Sequence, residues 1–207
     1  MLTVRHLFAL AVAVGFATSC GASNRAGPQS PPGDQLNVAE TFIDRLYAFD
    51  SAELNAMLGT AADSIPSISF YQGWAEGGHY QVVQRRPCEA TAPPSVSAVP
   101  SRFRTKDDLM LALGIDFNVT DTFALSFAEG EIASVATSSN ALQVFWNAQE
   151  WVNEEHPELI GVPCQGMFDG GLTPGECVRA MVEGYARFAV STDFPEASAL
   201  LQPANRN

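Results

Sequence analysis

The stretch "DTFALSFAEGEIASVATS", residues 121–138, decides the fold class. Phe123, Leu125 and Phe127 alternate with Thr122, Ala124 and Ser126, the period-two pattern of a strand with one apolar face. Glu129-Gly130 supplies a two-residue turn, a weaker form of the Asp-Gly signal. The segment therefore predicts an antiparallel hairpin. In the register this turn implies, Phe127 faces Ile132, Leu125 faces Ser134 and Phe123 faces Ala136. Large residues then oppose small ones, which leaves room for a ligand in front of Ser134 and Ala136.

Helical patterns flank the hairpin. In "NVAETFIDRLYAFD" (37–50), Val38, Phe42, Leu46 and Phe49 recur at helical spacing. "DSAE" (50–53) resembles a capping box, and a short helix from Ser51 to Leu58 is expected, ended by Gly59. Ser64 is the expected cap of a third helix with Pro66 in its first turn. Ile65, Ile68, Tyr71, Trp74 and Ala75 share one face, and Gly77-Gly78 ends it. "HYQVVQRRP" (79–87) reads as a strand, and "EATAPPSVSAVPS" (89–101) as a loop rich in Pro, Ala and Ser. Residues 102–104 start another strand. Thr105 is expected to cap a short helix in "TKDDLMLALG" (105–114). After the hairpin, Asn140 is expected to cap a helix that Pro157 closes. Thr173, Pro174 and Glu176 then open a last helix, with Val178, Met181, Tyr185 and Phe188 as its core stripe. Helices, then strands, then helices is an α+β order, not an alternating βαβ one.

The ends of the chain say where it acts. Arg5 and His6 precede the apolar run "LFALAVAVGFA" (7–17), which is too short to span a bilayer and reads as a signal segment over residues 1–19. "ATSC" follows. Small residues before Cys20 resemble a bacterial lipobox, with Ala17 where an aliphatic residue is usual. That resemblance implies cleavage before Cys20 and a lipid on its sulfur; the alternative is plain secretion with an incidental cysteine. Residues 20–36 are Gly, Ser, Pro and polar and read as a flexible tether. In an oxidising compartment Cys164 and Cys177, separated by a Gly-rich loop, are the natural disulfide pair, which leaves Cys88 over. A net charge of -12 with Lys106 as the single lysine disfavours nucleic acid.

The segments 39–58, 71–85, 107–140 and 145–159 together resemble the nuclear-transport-factor-2-like superfamily, also called SnoaL-like or cystatin-like cone folds. The resemblance implies a curved antiparallel sheet wrapped round N-terminal helices over residues 37–159, with a pocket at the open end. Residues 160–207 are then a C-terminal helical extension. Members include ketosteroid isomerases, cyclases, dehydratases, epoxide hydrolases and non-enzymatic modules, and they often pair as homodimers through the outer face of the sheet. The fold alone does not settle the chemistry.

Candidate sites follow from "YQGWAEGGHYQVV" (71–83) and from the hairpin. Tyr47, Tyr71 and Trp74, with Phe123, Leu125 and Ser134, are the expected lining of an apolar pocket. His79 with Glu76 or Asp44 is the one acid-base pair on offer. The alternative is that His79 only finishes a helix. No histidine pair has metal spacing, and "DFNVTD" (116–121) lacks the glycine and glutamate of a calcium loop, so neither metal nor cofactor is expected. Three functions fit: capture of a small apolar ligand or a protein partner without catalysis, acid-base catalysis by an isomerase, dehydratase or hydrolase, and a structural envelope role with the pocket self-filled. A buried ionisable group in an apolar cavity is what would distinguish the second.

Overall fold

The computed structural model describes residues 32–92, 95–166 and 175–204. The signal-like segment, Cys20, the tether as far as residue 31, and Thr173 and Pro174 lie outside them. The chain is α+β. Its elements run α1 (Pro32–Tyr47), α2 (Ser51–Met57), α3 (Ile65–Gly77), β1 (Gln81–Gln84), β2 (Glu89–Ala92), β3 (Ser95–Lys106), α4 (Asp108–Ala112), β4 (Val119–Ala128), β5 (Glu131–Ser139), α5 (Gln143–Glu155), α6 (Pro157–Ile160) and α7 (Gly175–Phe188). The sheet has the order β1-β3-β4-β5, with β2 also on β3, and every pairing is antiparallel. Among the described residues no helix is long and apolar enough to cross a membrane.

The first helix starts at Pro32, inside the segment read as tether, and Gln35 is already buried. Proline suits a first helical turn because its missing N–H is unpaired there in any case. Ala39, Phe42, Ile43 and Leu46 form the buried stripe, while Val38 is half-buried. The stripe packs on the inner face of the sheet, where Phe42 meets Phe123 edge-on at 6.3 Å between ring centroids. A second cluster gathers α4, α5 and α7 around Tyr185, Phe145 and Leu109.

The hairpin forms, but its register departs from the expected one. Glu129 and Gly130 both have positive φ (54° and 89°), as the favoured tight hairpin turn requires. Phe127 faces Ile132 as expected. Beyond that point Ser126 faces Ser134, Leu125 faces Val135 and Phe123 faces Thr137. Ala133 is the extra residue of a bulge, and one inserted residue turns every later side chain to the opposite face. The slip buries Val135 in place of Ser134. Ser134 lies on the outer face, its Oγ 2.6 Å from Ser126 Oγ.

The other departures trace to competing hydrogen bonds. Ser64 gives α3 no side-chain cap, because its Oγ accepts from Val135 N at 3.0 Å and ties the helix to the bulged strand. Asp107, not Thr105, caps α4 by accepting from Met110 N at 2.7 Å, and Thr105 lies buried in β3. Asn140 accepts from Thr120 N at 2.6 Å, so α5 starts only at Gln143. The expected loop 89–101 is mostly strand. Pro100 is tolerated because it falls between Ala98 and Phe103, where the ladder with β4 is interrupted and needs no donor. The capping box is half met: Asp50 Oδ1 accepts from Glu53 N at 3.1 Å.

Candidate functional site

An apolar pocket opens where α3, α5 and the start of β4 meet. The rise of α3 places Phe70, Tyr71 and Trp74 on the face towards it, and Phe70 and Trp74 stack with ring centroids 5.7 Å apart. Tyr80 follows the helix end. From α5 come Phe145, Trp146 and Gln149, and from the strands Val119, Asp121 and Ser139. The cavity measures ≈ 160 Å³. Among the described residues no side chain fills it.

Asp121 lies at its floor with 3% of its surface exposed. It occupies an inward place of β4, two residues before Phe123, in a strand whose every second side chain is buried. The Tyr71 hydroxyl donates to its Oδ2 at 2.5 Å. Since Tyr71 has one proton and gives it to Asp121, Tyr71 accepts from the Tyr47 hydroxyl, 3.0 Å away. Burial pushes the Asp121 carboxyl up to about 6 from an ordinary 3.8, against the pull of Tyr71, Ser139 and Thr105. Thr105 acts at a geometry short of a full hydrogen bond. Burial and the nearby Asp121 raise Tyr47 and Tyr71 well above 10, so both stay protonated at neutral pH.

A second acid stands behind this floor. Asp107 is buried and its carboxyl rises to about 7, mainly through desolvation, with the Asp121 charge adding to the effect. Its Oδ1 caps α4, while its Oδ2 and the Tyr185 hydroxyl are buried without a hydrogen-bond partner. Tyr80 lies in the field of both acids. Neither Asp107 nor Asp121 forms an ion pair among the described residues.

The sequence-predicted residues divide sharply. Tyr71 and Trp74 line the pocket, and Tyr47 stands behind Tyr71. Phe123 and Leu125 are sealed in the core; Phe123 backs the pocket by meeting Tyr71 edge-on at 5.0 Å. Ser134 is on the far side of the sheet. His79 is outside the pocket, its side chain 64% exposed and its Nδ1 2.6 Å from Asp108 Oδ2. It finishes α3: its backbone takes a positive φ of 49° and its N–H donates to Glu76 O. Glu76 is exposed, and Asp44 pairs with Arg85, which also holds Glu40. The expected acid-base pair is thus not assembled. Asp121 is the group that sequence reasoning missed, although the signal was present. Extending the alternation of Phe127, Leu125 and Phe123 back by two places puts a carboxylate on the apolar face.

Cys164 and Cys177 are joined in a disulfide, and Cys88 is a buried free thiol. The bond ties the segment after α6 to the first turn of α7, which presses on the last turn of α3 at Gly77. A bridge of this kind is consistent with an exported protein. Among the described residues no group of three or more His, Cys, Asp or Glu is placed to hold a metal ion. No family model, curated protein or solved structure matches the chain.

Proposed function

We propose that this is an exported domain of the nuclear-transport-factor-2-like cone type, lipid-anchored through Cys20, that captures a small, mostly apolar molecule without converting it. The observation that carries this reading is the apolar pocket between α3, α5 and β4, open enough to admit a ligand and holding one acid at its floor. Helices α1 to α3 against one face of an antiparallel sheet support the cone. The apolar run before Cys20 and the Cys164–Cys177 bridge support export. Mass spectrometry of the intact protein under native conditions, purified gently from its own host, tests the reading. A reproducible extra mass lost in Trp74→Ala supports it; a bare protein that also takes up no apolar probe argues against it.

One observation favours a second reading. A carboxyl at about 6 beside a protonated tyrosine is poised to move a proton near neutral pH. On that reading Asp121, not His79, is the general base or acid of an isomerase or dehydratase. A turnover screen separates the two, since conversion would be lost in Asp121→Asn and kept in His79→Gly.

A further inference from the structure

The pocket's wall chemistry narrows the ligand class. Six aromatic side chains line it, and they turn their rings in several directions. Tyr71 and Tyr80 meet at 88°, Phe145 and Trp146 at 80°, and Phe70 lies nearly parallel to Trp74 at 22°. Among the described residues no Lys, Arg or His lines the cavity, and Asp121 is its one acidic group. Hydrogen-bond directions add a second constraint. Tyr71 spends its proton on Asp121, and Tyr47 spends its proton on Tyr71. At Asp121 the floor therefore offers negative charge and acceptor capacity. An anion would meet Asp121 there, inside a chain of net charge -12.

We infer that the ligand is a small organic cation bearing a methylated ammonium, its charge against Asp121 and its methyl groups against the aromatic walls. This rests on the ligand-binding reading above. Aromatic faces are electron-rich and attract cations, most strongly once water is excluded. A methylated ammonium has little or no N–H to satisfy, which suits walls that hold few acceptors beyond the carboxylate. Ligand charge also answers the uncompensated carboxylate, since a buried charge without a counter-ion is costly. The cavity size fits such a head group: an apolar cavity of ~150 Å³ takes up one benzene ring.

The test compares choline with its uncharged isostere, 3,3-dimethylbutan-1-ol, on the full mature chain at pH 8. Calorimetry and the fluorescence of Trp74 and Trp146 report binding. Choline is expected to bind at least about tenfold more tightly, a difference of ~1.4 kcal/mol. Asp121→Asn should bring the two probes to near-equal affinity while the alcohol still binds. If that variant does not fold, Trp74→Leu should lower choline affinity more than that of the alcohol. Equal or tighter binding of the alcohol by the native chain overturns the cation inference and leaves the apolar pocket standing. Binding of neither probe overturns both.

Discussion

The Tyr71 hydroxyl stands 2.5 Å from Asp121 Oδ2, and the two residues come from separate elements that line one apolar pocket. The bond joins α3 to β4 at the point where both contribute to the cavity. It also holds the Asp121 carboxyl below the value that burial alone would give it.

Tyr71→Phe should therefore move the Asp121 carboxyl above about 6. A donor that favours the charged form is lost, and the Tyr47 hydroxyl loses its acceptor. A hydrogen bond to a charged group contributes ~1.5–3 kcal/mol, and a stability loss of that order is expected at pH 8. Carbon-13 NMR titration of the carboxyl, compared between native and variant chains, reads the shift directly. An unchanged titration would mean that Tyr71 does not govern the site.

Stability should fall as pH rises from about 4 to about 8. Asp121 and Asp107 titrate near 6 and 7 in the folded chain and near 3.8 once unfolded. Between those values the folded chain holds protons that the unfolded chain has released, so the slope of stability against pH is negative. The contribution is complete below the unfolded value and is gone above the folded one. For Asp121 the difference is on the order of 3 kcal/mol. Urea midpoints across this range check the sign, and Asp121→Asn should flatten part of the fall. A rise over the same window would contradict the burial of both acids.

Much of this architecture is legible in local pattern. Apolar periodicity placed the stripe of α1 and the inward face of β4, because both rest on side chains spaced by backbone geometry. What stayed hidden depends on long-range competition. Ser64, Thr105 and Asn140 all sit where a helix cap is expected, and a side-chain oxygen can cap a helix only if nothing else claims it. Ser64 and Asn140 serve strand N–H groups far off in sequence, and Thr105 is drawn into β3. The bulge at Ala133 is likewise decided by which residue β5 buries, Val135 or Ser134. At the site, Tyr71 and Trp74 were readable as aromatics on one helix face. Asp121 opens the hairpin pattern as a polar residue, so only the alternation of Phe127, Leu125 and Phe123 carried back two places marks it as inward.

His79→Gly should leave ligand capture unchanged. The side chain is exposed and reaches Asp108, away from the cavity. Its backbone φ of 49° favours glycine, which offsets the loss of an exposed pair. A change in stability within ~0.5 kcal/mol is expected, whereas His79→Ala should leave the chain less stable than His79→Gly by on the order of 1 kcal/mol, because alanine, like the native histidine, gains none of glycine's ease at that φ. Binding titrations beside thermal melts separate the two effects. A weakened ligand with an unchanged melt would restore His79 to the site.

Replacing both Cys164 and Cys177 by serine should cost about 3 kcal/mol. The bridge spans a sequence separation of 13, and closing a loop of that size restricts the unfolded chain by roughly this amount. Reductant should lower the melting temperature of the native chain and leave that of the double variant alone. Cys88 cannot account for such a difference, since its thiol is present in both.

Gly184 on α7 and Val152 on α5 should behave as a coupled pair. A methyl group built at Gly184 would stand 2.5 Å from Val152 Cγ2 and 2.8 Å from Cγ1, far inside normal contact. Gly184→Ala should therefore destabilise by ~1–3 kcal/mol through overpacking, even though alanine is the better helix former by ~1 kcal/mol. Val152→Ala alone removes buried methyl groups and is also costly. Together the two substitutions exchange volume across the helix interface, and the double variant should be more stable than the sum of the single losses predicts by ~1 kcal/mol or more. The same pair reaches the pocket. Helix α5 carries Phe145, Trp146 and Gln149 on its lining face, so pushing α5 away from α7 moves those walls. Gly184→Ala should weaken ligand binding, and Val152→Ala in the same chain should restore it. Additive denaturation energies would show that α5 and α7 yield without coupling, and unaltered binding in Gly184→Ala would show that the pocket walls are held independently of this contact.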